Sequence, residues 1–420
     1  MVSPQRLQHA LLRCARAGLA AAALMLAACS SSGGSAVNSV SGVTQSGPNV
    51  AAITVGPGPA GTRNNINIPY VSVTVCEPGT AVCATIDHVL LDTGSWGLRL
   101  MASVLAQNGI SLPDEVAANG NTLGECQPFA AGYTWGPVAT ADVRLASEQA
   151  SGVPVQIIDD TGSSFALEVP ASCSGNPPSM NSVASFAANG VLGIGVRVTD
   201  CGTQCVTDSA NTYYFSCGGG SCQGTAVPLA QQVTNPVSLF TTDNNGILIS
   251  LPAITDQGAT QASGALVFGI GTQDNNVPGS DVTTFTTDES GYLITTYNGT
   301  LLDNSFIDSG SNAVDFADSS IATCAQKYSG FYCPAQTLQL SATMQGQNGT
   351  TGSVGFDVAN VSTLLADNPS AHAFGNVGGQ LVGNLAGSFD WGLPFFFGRD
   401  VYIAIVGQST PAGTGPYYAY

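Results

Sequence analysis

Two short segments of this 420-residue chain repeat one design, and that repetition constrains the fold more than any other feature. The first is Val89-Leu90-Leu91-Asp92-Thr93-Gly94-Ser95. The second is Phe306-Ile307-Asp308-Ser309-Gly310-Ser311, and the two aspartates are 308 − 92 = 216 residues apart. Each segment sets an aspartate at the end of an apolar strand and follows it with a hydroxyl residue, glycine and serine. The strand fixes the carboxylate at a rigid base, and glycine permits a sharp turn and close backbone approach. The hydroxyls can hydrogen-bond the carboxylate and lock its orientation. Two such loops meeting face to face would hold two carboxyls around one water. Like charges that close cannot both ionise, so the pair would share a proton. The ionised member then takes a proton from the water while the neutral one polarises a peptide carbonyl. Asp92 and Asp308 are the candidate catalytic residues.

The rest of the chain reads as β structure. Val71, Val73 and Val75 alternate with polar residues, Glu77-Pro78-Gly79 turns the chain, and Ala84 to Leu91 returns. Further short strands are expected at 138–145, 153–158, 246–251, 265–270, 292–297 and 395–406. Gly, Asn, Asp and Pro clusters separate them, and 51 glycines suit a fold full of turns. Helical signals are confined to 102–108, 182–188 and 321–326. No stretch after Cys29 is long and apolar enough to cross a membrane.

Here the sequence resembles the pepsin family of aspartic peptidases, over nearly all of 63–420. In that family each Asp-Thr-Gly loop is paired with a later apolar-apolar-Gly strand. Val191-Leu192-Gly193 follows Asp92 by 193 − 92 = 101 residues, and Phe396-Phe397-Gly398 follows Asp308 by 398 − 308 = 90. Ser263 to Gly269 is similar to the strand that ends the family's first lobe. The resemblance implies an all-β, bilobal fold with the cleft between the lobes, spanning 63–272 and 273–420. It implies that Thr93 and Ser309 are the paired hydroxyls behind the two acids, and that Ser95 and Ser311 bond the outer carboxylate oxygens. The chain looks closest to a family of uncharacterised bacterial lipoproteins with the same pattern.

Not every matching motif carries that meaning. Asp160-Thr161-Gly162-Ser163 has the same letters but follows Ile158-Asp159 and lacks a partner strand, so it reads as a turn. The family closes its cleft with a hairpin that carries a tyrosine. The candidate stretch here is 129–136, but its spacing fits poorly. Tyr133 or Trp135 sits over the cleft, or both are packed aromatics. Only His88 and His372 follow the leader, which leaves little for a metal site or a Ser-His-Asp triad, and His88 reads as a structural histidine. Cys217-Gly-Gly-Gly-Ser-Cys222 has no following lysine and is read as a closed loop rather than a nucleotide site. Neither a metal nor a cofactor is expected.

The amino end has its own signature. Arg6, Arg13 and Arg16 precede an apolar run from Ala17 to Ala28, too short for a permanent membrane helix, so residues 1–28 read as a signal peptide. Leu26-Ala27-Ala28-Cys29 resembles the bacterial lipobox, which implies lipidation at Cys29 and an exported lipoprotein, at the outer membrane. Residues 29–62 show no apolar period and read as a flexible tether. Nine basic residues less three in the leader leave 6 against 27 acidic ones, a charge of 6 − 27 = −21. Such a polyanion repels nucleic acid and anionic lipid heads, so both are excluded as partners. A peptide or protein substrate and a monomeric chain are expected.

Ten cysteines remain after Cys14 and Cys29. Four close pairs, Cys76/Cys83, Cys201/Cys205, Cys217/Cys222 and Cys324/Cys333, read as disulfides in an oxidising compartment. Cys126 and Cys173 pair by elimination. A four-thiolate zinc site from Cys201, Cys205, Cys217 and Cys222 lacks Cys-x-x-Cys spacing and is the weaker reading. Function is therefore expected to be endopeptidase hydrolysis by the Asp92–Asp308 pair. The alternative is a catalytically silent binding protein of the same fold, and a third reading is a structural surface lipoprotein.

Overall fold

Alternation decides which face of each strand is buried. In Pro69–Cys76, Val71, Val73 and Val75 point into the core while Ser72 is exposed. The chain turns at Glu77 and returns as Cys83–Asp92, with Val73 opposite Ile86 and Cys76 opposite Cys83. The disulfide Cys76–Cys83 closes this directly opposed pair. The computed structural model describes residues 40–41, 46–62, 65–162, 169–175, 178–381 and 385–420. The expected leader, Cys29 and the start of the expected tether lie outside them, as does Ser163.

The protein is all-β. One 16-stranded sheet and one seven-stranded sheet contain nearly all the strands. Within the larger sheet, Pro69–Cys76, Gly132–Leu145, Glu148–Ile158, Trp96–Met101, Gly190–Ile194 and Cys83–Asp92 pair in turn. Because Cys83–Asp92 pairs in turn with Pro69–Cys76, where the series began, these strands curl into a closed, barrel-like ring. Closure removes exposed edges from the ring. The sheet continues through Val50–Val55, Ala262–Phe268, Gly246–Ser250, Asp400–Ala404 and Tyr417–Ala419 to Thr284–Thr286. The 272/273 boundary is thus bridged by strands from both sides of it.

The structure corrects two sequence expectations. Residues 50–55, assigned to the tether, form a strand whose Ile53 and Val55 are fully buried, paired with Ala262–Phe268 and Pro69–Cys76. The absence of a long apolar period hid it, because only its alternate residues face the core. The stretch 321–326 is not helical: Thr323 bridges Tyr332 beside the disulfide Cys324–Cys333, and only a 3-10 turn, Gln326–Tyr328, follows. The short helix Gln204–Thr207, which carries Cys205, has no counterpart among the expected elements. Four residues are too few to show an apolar period, so nothing in the sequence marked that turn.

The expected helices at 102–108 and 182–188 appear as Ala102–Gln107 and Val183–Phe186. The helix Val361–Asp367, capped by Asn360 through Thr363 N–H, was not anticipated. None of the described helices is long and apolar enough to cross a membrane.

The smaller sheet runs Thr351–Val358, Leu338–Gln345, Leu293–Tyr297, Thr300–Ile307, Asp390–Trp391, Val314–Phe316, Gly378–Gln380. Its buried side is an aromatic cluster in which Phe316 stacks on Phe389 at 5.2 Å and Trp391 lies 4.4 Å from Phe389. The Trp391 indole N–H donates to Thr295 Oγ1 at 3.0 Å, which satisfies its polar tip.

One topological unit occurs twice. The strand ending at Asp92 pairs in parallel with Gly190–Ile194, which pairs antiparallel with Trp96–Met101. The strand ending at Ile307 pairs in parallel with Asp390–Trp391, which pairs antiparallel with Val314–Phe316. In both cases a later strand inserts between the two strands that flank an aspartate loop.

Candidate active site

The inserted strands fix the loops. Asp92 lies opposite Gly193 in the parallel register, and Leu91 opposite Leu192, as the Val191-Leu192-Gly193 spacing implied. For the second loop the expected partner is wrong. Ile307 lies opposite Trp391 and Asp308 N–H donates to Trp391 O at 3.1 Å, so the paired segment is Asp390-Trp391-Gly392. Phe396-Phe397-Gly398 instead leads from the 3-10 turn Leu393–Phe395 into the strand Asp400–Ala404. Asp390-Trp391-Gly392 does not show the apolar-apolar-Gly pattern, because an acid, Asp390, stands at its first apolar position.

The two aspartate loops meet, although 216 residues separate them. Thr93 Oγ1 accepts from Ser309 N–H at 2.9 Å and donates to Ile307 O at 3.1 Å. Ser309 Oγ accepts from Thr93 N–H at 3.2 Å and donates to Leu91 O at 2.7 Å. Each hydroxyl therefore uses one lone pair and its one hydrogen on the other loop's backbone, below the acids. Both side chains are buried.

The carboxyls sit above this exchange. Ser95 Oγ donates to Asp92 Oδ2 at 2.5 Å, and Ser311 Oγ lies 3.0 Å from Asp308 Oδ2. On the inner side, Gly94 N–H donates to Asp92 Oδ1 at 2.8 Å and reaches Asp308 Oδ1 at 3.1 Å, while Gly310 N–H donates to Asp308 Oδ1 at 2.7 Å. The glycines are required by this closeness. A Cβ on Gly94 would lie 2.5 Å from the Asp308 carboxyl carbon, and one on Gly310 would lie 2.7 Å from Asp92 Oδ1. Withdrawal from water pushes the Asp308 carboxyl well above the usual range. The charge of Asp92 and a hydrogen bond with it add to the shift, partly offset by donation from Gly310 and Ser311. All six residues singled out in the two motifs thus converge on one place.

A cavity of about 510 Å³ opens above the pair. Its walls include Ile68, Leu90, Met180, Phe186, Phe331 and Leu381, so the space above the acids is largely apolar. The hairpin made by Thr122–Phe129 and Gly132–Leu145 lends its tip, Phe129 to Ala131, to the same cavity. Tyr133 and Trp135 do not line it. Tyr133 is tied to the 178–180 segment through its backbone, and Trp135 packs edge-on against Phe215 beside the disulfide Cys126–Cys173. They are packed aromatics, because alternation along the hairpin turns them to its other neighbours.

Asp160 is elsewhere. Its carboxyl accepts from Ser103 N–H at 2.8 Å and from the Ser103 hydroxyl, at the start of the helix Ala102–Gln107. Asp159 accepts from Gly162 N–H, which closes the expected turn. His88 contacts Tyr70 edge-on and Asp87, and His372 Nδ1 is 2.6 Å from Asn65 O.

All five expected disulfides are present: Cys76–Cys83, Cys126–Cys173, Cys201–Cys205, Cys217–Cys222 and Cys324–Cys333. Cys205 is fully buried with Cys201 in a small apolar cluster that includes Leu123, Tyr214 and Val227. Cys217 and Cys222 face each other across a separate hairpin. The sulfurs of Cys201, Cys205, Cys217 and Cys222 are thus engaged in two disulfides, so the four-thiolate zinc reading is set aside.

Two acids near the pair were not anticipated. Asp390 Oδ2 is 2.6 Å from Ser311 Oγ, and Asp315 faces Asp390 in the antiparallel register and lines the cavity. Burial raises the Asp315 carboxyl to about 7. No sequence motif marks either residue, since their position depends on which strand inserts beside Asp308.

Residues 45–420 match the family described as "Protein of unknown function (DUF3443)", and the chain belongs to that family. No curated protein matches the chain.

Proposed function

We propose that this member of the DUF3443 family is an aspartic-type endopeptidase with a bilobal, pepsin-like fold. The observation that carries the reading is the reciprocal Thr93–Ser309 exchange beneath two carboxyls that share one glycine N–H. A pair that close holds one proton between its members. The ionised carboxylate accepts a proton from a water, whose oxygen attacks the peptide carbonyl carbon. The neutral carboxyl donates its proton to the carbonyl oxygen, giving a tetrahedral diol. The carboxyl that took the water's proton passes it to the amide nitrogen while the other carboxylate takes a proton from a diol hydroxyl; the C–N bond breaks, and the pair again holds one proton. The apolar cavity walls support a preference for apolar side chains beside the scissile bond.

The amino-terminal pattern supports export and anchoring of the body by lipid on Cys29, at the outer membrane. The direct test is incubation of the purified protein with denatured protein between about pH 3 and 7, with and without pepstatin. Pepstatin-sensitive cleavage lost in Asp92→Asn is the expected result.

A peptide-binding protein without turnover is the second reading. It draws on one observation: the hairpin tip over the pair is Phe129-Ala130-Ala131, which offers the acids no side-chain hydroxyl. Peptide binding without cleavage in that experiment would favour it.

A further inference from the structure

The second inserted strand carries a group that the first lacks. Leu90 faces Val191 in the first parallel pair, and Phe306 faces Asp390 at the equivalent place in the second. Asp390 is 4% exposed. Its Oδ2 lies 2.6 Å from Ser311 Oγ, which lies 3.0 Å from Asp308 Oδ2. A serine hydroxyl has a single hydrogen. Flanked by two carboxyl oxygens, it donates to one of them, and the other contact is a hydrogen bond only if that carboxyl is protonated and donates. One of the two acids is therefore neutral.

The surroundings select Asp390. Asp308 accepts two backbone N–H groups on Oδ1, from Gly310 and Gly94. Asp390 Oδ1 is buried, and no donor among the described residues reaches it. The titratable groups turned toward Asp390 are Asp308, Asp315 across the register, Asp92, and the buried phenol of Tyr418. No Lys, Arg or His among the described residues is ion-paired with any of them. An anion at Asp390 would be unsolvated and repelled, whereas a neutral acid with its O–H on Ser311 is satisfied. Burial first, then the charges of Asp308 and Asp315, push its carboxyl well above the usual range; Asp92 adds to this, and the Ser311 contact offsets it only in part.

We propose that Asp390 is a positioning residue that, as a neutral acid, donates to Ser311 and so keeps the Ser311 hydrogen on Asp308. The catalytic consequence rests on the peptidase reading; the proton on Asp390 rests on the local geometry alone. When Asp390 ionises, its closer oxygen captures the Ser311 hydrogen. Asp308 then loses a donor and gains a like charge nearby, and activity falls as pH rises.

Two substitutions separate this role from packing. Asp390→Asn keeps a donor toward Ser311 and cannot ionise. Asp390→Val places there the residue found at the equivalent position of the first unit. Peptide turnover is measured against pH for both variants and the wild type. Asp390→Asn should keep its acid-side kcat within about threefold and extend its alkaline limb to higher pH, while Asp390→Val should lose about tenfold in kcat with little change in KM. An Asp390→Asn profile superimposed on that of the wild type would overturn the proposal. Infrared spectroscopy near neutral pH gives a second readout, independent of activity. The wild type should show the C=O stretch of a neutral carboxyl that Asp390→Asn removes; no loss of that band overturns the proposal even in an active enzyme. A wild type without turnover ends the peptidase reading, and the infrared band still decides whether Asp390 holds the proton.

Discussion

Thr93 and Ser309 exchange hydrogen bonds reciprocally, each accepting the other's backbone N–H and donating to a carbonyl two residues before the other. The arrangement is an approximate two-fold device at the junction of the two aspartate loops, with no water needed to satisfy it. Its strength follows from burial: Thr93 is 2% exposed and Ser309 fully buried.

Thr93→Val keeps the shape and removes the hydroxyl, leaving Ser309 N–H and Ile307 O without partners. Stranding buried backbone groups costs about 1–3 kcal/mol each, so the variant should lose about 2–5 kcal/mol of stability in urea unfolding. Ser309→Ala should lose a similar amount through Thr93 N–H and Leu91 O. A double variant that loses much less than the sum would show the coupling expected of one network. Strict additivity would mean that the two hydroxyls act independently.

Asp92→Asn and Asp308→Asn each preserve the accepted backbone bonds through the amide oxygen while removing the shared proton. Each should lower peptide turnover by a factor on the order of 10²–10⁴ with little change in Tm. Asp160→Asn, whose partner is Ser103, should leave turnover unchanged. Retained activity in Asp308→Asn would disprove the paired mechanism.

The local chemistry of the loops was legible in the sequence because it is carried by contiguous residues. Asp-hydroxyl-Gly-Ser after an apolar strand is a contiguous pattern, so the family resemblance it carries could be laid residue by residue onto Thr93, Ser95, Ser309 and Ser311. The close cysteine pairs were legible for the same reason, since Cys76 and Cys83 flank one turn. For Cys205 the partner was legible and the helix around it was not, because a single turn of helix leaves no periodic trace. Strand insertion is not local. Whether 390–392 or 396–398 lies beside Asp308 depends on packing of Trp391 and the Leu393–Phe395 turn, and an apolar template passes over an aspartate. The strand 50–55 was missed because half of its residues face away from the core. The candidate stretch 129–136 does contain the hairpin tip, but only Phe129 to Ala131 overhang the cavity, because the turn at 130–131, and not the aromatic residues at 133 and 135, decides what lies above it.

The disulfide Cys126–Cys173 joins that hairpin to the short helix Ala171–Ser174, closing a separation of 47 residues. A cross-link of this span should stabilise by about 2–4 kcal/mol. Replacing both cysteines with alanine should lower Tm and, because the hairpin tip lines the cavity, raise KM for peptides more than it lowers kcat. Unchanged KM would mean that the hairpin is held by Tyr133, Asn181 and the sheet without it. Non-reduced peptide mapping checks the pairing itself.

Stability should fall as pH rises through weak acid, the reverse of the usual carboxylate effect. Asp315 is raised by burial to about 7, and Asp308 and Asp390 are raised well above their ordinary range. In the unfolded chain these groups ionise near about pH 4. Below that pH both states hold the protons, and the native contribution is fully present. Between about pH 4 and 7 the native protein keeps protons that the unfolded chain has released, so each further rise in pH favours unfolding. The contribution of Asp315 is lost once pH passes about 7. Other carboxylates with the opposite bias share this range, so the readout is the difference between two proteins rather than one curve. Calorimetry should show that Asp315→Asn gains Tm relative to the wild type as pH goes from about 4 to 7, with no relative gain below that interval. A constant difference across the whole range would mean that Asp315 ionises alike in both states, and that burial does not hold it as a neutral acid.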